Sequence, residues 1–439
     1  MRIKFNPAIS LSLLYKAWQA GAGLATIPLI IHSLEPAAQG FYYTFASLIA
    51  MQSFFELGLG IVISIFASHE WYQLYLDKHG RIVGNQHALS RLVSLGRIVF
   101  VYYGIVSLVF LVFAASIGFY ILGKEQNQQI DWIMPWLLHV LFSAISLWFL
   151  PFLNLLDGCN QVAVTAKFRL VQSLISTTVL WLALSAGLKL WSIPMFSGIS
   201  VLILVLYIVF FKRRFFLPFV KKPVSKTISW TKDLFPMQWR LAVQAFLGYL
   251  SFPLYTVLIF NDLGAVEAGR MGMTLQIIGG IQSFALVFLI AKAPEFAILA
   301  AASGNQARLL STWKESSFRS LGVMSLLLLL LLAIQLIATK FNISQVFRVL
   351  PLSSFVVLSI GALLAVVIQC VAVYLRSHKK ELLTPVGVIS GSLYGLLAWI
   401  MSFKFGVFGI ALSYLFVTGL VALPFSLYIY KNNFHRLRS

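Results

Sequence analysis

Twelve stretches of this chain keep apolar residues together for long enough to cross a bilayer, which takes about 20 residues per helical span. They are Ala8–Leu34, Phe41–Ser68, Ile98–Leu122, Trp132–Leu156, Leu170–Leu190 and Ile193–Phe211, then Leu241–Phe260, Met271–Ala291, Leu321–Thr339, Val349–Leu375, Leu382–Phe403 and Phe408–Tyr430. Only Trp191 and Ser192 separate the fifth from the sixth, with Pro194 just after, so eleven or thirteen spans are the alternatives. The pattern predicts an all-α polytopic membrane protein. Composition agrees: 60% of the 439 residues are hydrophobic and 10% are charged, against about 25% charged in soluble domains.

The formal charge of +20 changes this picture less than it first suggests. With the amino terminus in the cytoplasm, inner segments hold 26 of the 33 Lys and Arg, the outer side holds 6 counting Lys189 at the outer end of span five, and Lys16 lies inside a span. The positive-inside rule then predicts that both termini are cytoplasmic, and the basicity reads as topology rather than as a nucleic-acid surface. The densest patch, Lys212 to Arg240, is also placed to meet anionic headgroups. The first span is too long and starts too late for a cleaved leader. Cys159 and Cys370 suggest neither a disulfide nor a metal site, and no cofactor is expected.

The hydrophobic pattern repeats. Residues 17–29, AWQAGAGLATIPL, align without a gap to residues 242–254, AVQAFLGYLSFPL, with six identities in thirteen, among them Gln19/Gln244, Gly23/Gly248 and Pro28/Pro253. In the next span Gln52-Ser53-Phe54 recurs as Gln282-Ser283-Phe284, at an offset of 230. Spans one and seven start on the same side, so the halves run parallel, related by an axis along the membrane normal. The organisation expected is an N-terminal six-helix lobe at 1–211, a basic cytoplasmic linker at 212–232 and a C-terminal six-helix lobe at 233–439.

Polar residues inside such spans need a reason, because a charge at the bilayer centre costs about 2.5–3.5 kcal/mol on insertion scales. Glu56 is the acid placed deepest, and Gln52 precedes it by one helical turn. Lys16 lies about 12 Å into the first span at 1.5 Å per residue; snorkelling to the headgroups is the alternative to a cavity role. Glu56 could instead form a structural ion pair with Lys16. Gln19, Gln244, Gln52 and Gln282 fit either a shared polar cavity or interhelical hydrogen bonds. Arg240, Arg270 and Lys292 stand at span ends, where topology alone accounts for a base. Asp157, at the inner end of span four, is a second carboxylate or a helix cap. His69-Glu70 lacks metal-ligand spacing. No P-loop and no catalytic carboxylate pair occur, and the outer loops are too short for a catalytic domain, so the chain reads as a transporter without catalytic residues.

The stretch Gly40-Phe41-Tyr42-Tyr43-Thr44-Phe45, continued by Gln52-Ser53-Phe54-Phe55-Glu56-Leu57-Gly58-Leu59, resembles the O-antigen flippases of Wzx type, in the MATE-like multidrug/oligosaccharidyl-lipid/polysaccharide (MOP) exporter superfamily. Phe66-Ala67-Ser68-His69-Glu70 and Leu155-Leu156-Asp157-Gly158-Cys159-Asn160-Gln161 are similar to further signatures, with Asp157 where the family often has Glu. The resemblance implies a MATE-like fold of two lobes around a central cavity, with alternating access. Its implied cargo is an undecaprenyl-diphosphate-linked oligosaccharide, moved from the cytoplasmic to the periplasmic leaflet of the bacterial inner membrane for lipopolysaccharide biosynthesis. The partners it implies are membrane lipids and the polysaccharide polymerase and chain-length proteins, with no nucleic acid. Lys16 and Arg240 would then hold the diphosphate, helped by Arg270 and Lys292, and the four glutamines would meet sugar hydroxyls. The competing readings are a MATE-like exporter of small organic cations, a major-facilitator transporter, a membrane-embedded polysaccharide polymerase or ligase, and a non-transporting scaffold.

Overall fold

A computed structural model describes residues 7–125, 130–220, 223, 228–301, 306–343, 348–378 and 381–438. The chain is almost wholly helical. The first part runs α1 (Pro7–Ser33), α2 (Pro36–Ile49), α3 (Gln52–Glu56) and α4 (Leu59–Trp71), then a two-stranded antiparallel hairpin of β1 (Leu74–Leu76) and β2 (Ile82–Gly84). There follow α5 (Gln86–Leu122), α6 (Ile133–Gly158), α7 (Val162–Ser185), α8 (Ser192–Leu206) and α9 (Arg213–Val220). The rest comprises α10 (Phe235–Tyr249), α11 (Pro253–Leu263), α12 (Ala265–Ile290), α13 (Ala293–Ala301), α14 (Gln306–Lys340), α15 (Leu352–Ser377), α16 (Thr384–Phe416) and α17 (Leu423–Arg438).

Eight helical stretches are long and apolar enough to cross a membrane, and two bent pairs bring the number to ten. Helix α1, 27 residues long, has the length for another. The stretch Thr384–Asn433 counts once by length, yet it holds the eleventh and twelfth expected spans. Gly406 divides it, with φ at 55°. A Cβ on Gly409 would clash with the carbonyl oxygen of Met401, eight residues back. A continuous helix would put about 12 Å between those positions, so the chain doubles back here. The stretch is two helices.

Two expected spans are broken, which hydropathy alone does not show. Span two bends by 43° between Pro36–Glu56 and Leu59–Trp71. The break is made by Leu57 and Gly58, with φ of 50° and 65°. Glycine enters that left-handed region freely, whereas a leucine there costs of order 1–3 kcal/mol. Span seven bends by 41° between Leu241–Tyr249 and Pro253–Leu263, where Pro253 opens α11. Its repeat mate Pro28 sits inside an unbroken α1. Span eight is unbroken, and the turn at Ala291 and Lys292 between α12 and α13 falls at its end. Span five starts at Val162 rather than Leu170, which takes Lys167 and Arg169 into the helix.

The helices form two compact units whose boundaries differ from those of the repeat. The first comprises Met1–Gln19 with Phe45–Tyr249, the second Ala20–Thr44 with Leu250–Ser439. The hairpin made by the end of α1 and the start of α2 therefore packs with the C-terminal helices, and α10 packs with the N-terminal ones. Part of the expected linker 212–232 falls outside the described residues; the rest includes α9, whose Phe215, Phe216 and Phe219 are buried in the first unit.

Inside the second unit the hairpin is held closely. A Cβ on Gly40 would overlap the carbonyl oxygen of Ala265, so α2 and α12 meet backbone to backbone. Gln39, 1% exposed, donates from Nε2 to the carbonyls of Gly269 (2.8 Å) and Arg348 (3.0 Å). Arg348 returns Nη1 to Gln39 Oε1 (3.4 Å) and Nη2 to the carbonyl of Ile31 (3.5 Å). Gln39 and Gly269 stand 230 residues apart, the offset of the second spans in the repeat.

Candidate functional site

The broken second span puts a carboxylate where a helix stops. Glu56 is the last residue of α3, and its carboxylate accepts a hydrogen bond from the backbone N–H of Gly60 in α4. A Cβ on Gly60 would lie 2.5 Å from Glu56 Oε1 and 2.6 Å from Asn154 Nδ2, so the two side chains converge on one point. Asn154 is 9% exposed, and its Nδ2 has no hydrogen-bond partner among the described residues. An unsatisfied buried amide costs about 1–3 kcal/mol.

One turn further along α6, Asp157 takes two partners from α7. Arg169 Nη2 reaches Oδ2 at 2.9 Å, and the Thr165 hydroxyl donates to Oδ1. Asn154 and Asp157 are three apart on α6, Thr165 and Arg169 four apart on α7, so each pair shares a helical face. Arg169 also acts electrostatically on Glu56 and on Tyr15 of α1. The Tyr15 hydroxyl accepts from Gln19 Nε2 at 2.8 Å. The outcome is a polar stripe across α1, α3, α4, α6 and α7, all within the first unit. It contains two carboxylates, a guanidinium, two amides and two hydroxyls.

Of the residues singled out in the sequence, Gln19, Glu56 and Asp157 enter this stripe. Lys16 is exposed on α1 beside Tyr15, and Gln52 begins α3 one turn before Glu56. Gln244 is exposed on α10. Arg240 lies on the same helix and in the same unit as Lys16, with its side chain outside the described residues. Gln282, Arg270 and Lys292 belong to the second unit. Arg270 is paired with Glu267 on its own helix at 2.5 Å, three residues apart. Lys292 is half-buried at the α12–α13 turn, and Gln282 is half-buried on α12. Asp157 makes an ion pair with α7 rather than capping it.

Asn154, Thr165 and Arg169 were missed in the sequence reading. Arg169 counted as an inner-loop base because a hydropathy scan trims a span at a charge, and the Asp157 partner that makes the charge tolerable is twelve residues away. The signal that could have found them is the matched pair of spacings, Asn154-x-x-Asp157 facing Thr165-x-x-x-Arg169 across a three-residue turn. Among the described residues no group of three or more His, Cys, Asp or Glu could hold a metal ion.

Comparison with known proteins bears on the fold. Neither a family model nor a curated protein sequence matches the chain. Solved structures do. An inward-facing multidrug resistance MATE family transporter of the MOP superfamily is similar over 98% of both chains, at a TM-score of 0.64 and 10% identity. The lipid II flippase MurJ, in an inward closed conformation, is similar over 98% of this chain and 89% of its own, at 0.58 and 13%. The MATE multidrug transporter DinF-BH is similar over 99% of this chain and 97% of its own, at 0.58 and 11%. The chain is an all-α polytopic membrane protein with a MATE-like fold.

Proposed function

We propose that this chain is a flippase for a polyprenyl-diphosphate-linked oligosaccharide, of the O-antigen repeat-unit type, moving it from the cytoplasmic to the periplasmic leaflet of a bacterial inner membrane by alternating access. The observation that carries the reading is Arg169. Its side chain is 31% exposed within a membrane-spanning helix and gives one nitrogen to Asp157. Among the described residues its remaining donors have no hydrogen-bond partner. A guanidinium with donors to spare matches a diphosphate in fork geometry. Diphosphate oxygens would compete with Asp157 for it, and release would restore the ion pair. Lys16 and Arg240, on helices of the same unit, would add point charge. Gln19, Gln52 and Gln244 would serve sugar hydroxyls. The charge asymmetry of the sequence supports cytoplasmic termini, and the likeness in fold to a lipid II flippase fits a cargo of this class.

A second reading, an exporter of small organic cations, is favoured by Glu56, which offers a carboxylate to a cation. One experiment separates the two. Purified protein is reconstituted into liposomes with a fluorescent lipid-diphosphate oligosaccharide or with a cationic dye. The flippase reading expects movement of the lipid-linked cargo between leaflets and no dye accumulation. Dye transport without lipid movement would replace it with the second reading.

A further inference from the structure

The segment that follows α8 has a surface the proposed cargo site does not use. The span ends in a π-helical turn, Tyr207–Phe211, and the chain enters α9 through Lys212, Arg213 and Arg214. One side of α9 is docked on protein. Phe216 lies 4.9 Å from Phe152 in an edge-to-face arrangement, and a Cβ on Gly96 would overlap the Phe219 ring. The other side is bare. Phe211 is 80% and Val220 81% exposed, and Phe210 and Leu217 are exposed beside them. Arg213 and Arg214 are exposed at the start of the same helix. Lys212 differs, since its ammonium donates to Gln161 Oε1 at 2.7 Å and rests 5.8 Å above the Tyr207 ring.

We propose that this junction binds an anionic phospholipid of the surrounding bilayer, with its phosphate on Arg213 and Arg214 and its acyl chains on Phe210, Phe211, Leu217 and Val220. Two features choose a lipid over a protein partner. The bare apolar residues follow in the chain on those of α8, where Leu202 and Leu206 are also exposed. The two arginines follow that exposed apolar surface directly in the chain, and their charge complements a phosphate. The site has a route to the polar stripe. The Tyr207 ring stacks on Phe168 at 4.1 Å, next to Arg169 in sequence, and Lys212 holds Gln161 in the α6–α7 turn that follows Asp157. A lipid steadying the junction therefore steadies the frame of the Asp157–Arg169 pair.

The test uses the full-length chain carrying Val220→Cys, labelled with a fluorophore and reconstituted in phosphatidylcholine vesicles. Cys159 and Cys370 are buried, and the unsubstituted protein labelled in parallel gives their background. Vesicles are doped with brominated-acyl phosphatidylglycerol or with brominated phosphatidylcholine. The proposal expects saturable quenching at lower mole fraction for phosphatidylglycerol, with the preference falling about fivefold per arginine replaced in Arg213→Gln and Arg214→Gln. Arg213→Lys with Arg214→Lys keeps most of it, which separates charge from misfolding. Equal quenching by the two lipids overturns the proposal, as does no quenching by either or a preference unchanged by the glutamine replacements.

Discussion

Replacing Gln39 by leucine keeps the side chain's size and removes its hydrogen bonds. In the structure the amide donates to the carbonyls of Gly269 and Arg348 at 2.8 and 3.0 Å, in a fully buried position. Each such bond contributes about 1 kcal/mol net. The Gly269 carbonyl lies within α12 and keeps its helical partner, but the Arg348 carbonyl loses its amide, at a further cost of about 1–3 kcal/mol. Leucine recovers part of this through apolar burial. The net expectation is a loss of about 2–3 kcal/mol in docking of the 20–44 hairpin on α12, or about 30- to 150-fold in the docked population. Hydrogen-exchange mass spectrometry reads this directly. Peptides spanning 31–45 and 264–273 should lose protection by one to two decades, as a local opening, while the interior of α6 is unchanged. Unchanged protection in both peptides would refute the idea that Gln39 holds the hairpin.

In the polar stripe, Asp157→Asn, Arg169→Gln and the double replacement should show a coupling of about 1 kcal/mol in thermal unfolding, modest because the pair is partly exposed. Additive effects would mean that the ion pair contributes nothing. Gly60→Ala puts a methyl between the ends of the Glu56 and Asn154 side chains, which can swing aside, and should cost at most about 1 kcal/mol in melting; a loss of several kcal/mol would show that both side chains are rigidly held. Glu56→Gln should lower transport or change its dependence between pH 6 and 8, and wild-type rates throughout would make Glu56 structural. In the β1–β2 turn, the backbone N–H groups of Arg81 and His79 donate to Asp77 and hold its carboxylate below the usual range. Its folded pKa is depressed, so its stabilisation is present above about pH 4 and is lost as pH falls through the folded value. Exchange protection at Asp77–Arg81 should fall over that window and be pH-independent in Asp77→Asn.

What the sequence disclosed and what it hid divide along physical lines. Span number and order were legible because a bilayer demands long apolar runs, and the gap between the last two expected spans falls on Gly406. Helix breaks were hidden. Hydropathy averages over side chains and is blind to backbone angles, so Leu57 at φ 50° leaves no trace, although Gly58 beside it does. The partition into units was hidden too. The repeat shows ancestry of position, whereas packing follows contact, and the residues that bind 20–44 to α12 are Gln39 and Gly40, just before the second expected span begins. Glu56 was legible as a lone deep acid. Arg169 was not, because its neutralising partner comes from another helix.

The central claim concerns a diphosphate held by Arg169, and the most direct test is the rate at which a fluorescent polyprenyl-diphosphate oligosaccharide changes leaflet in proteoliposomes, scored by a membrane-impermeant quencher. The account predicts cargo movement by the unsubstituted chain, its loss in Arg169→Gln, partial retention in Arg169→Lys, and normal insertion of both variants. Equal rates for the unsubstituted chain and Arg169→Gln would contradict it.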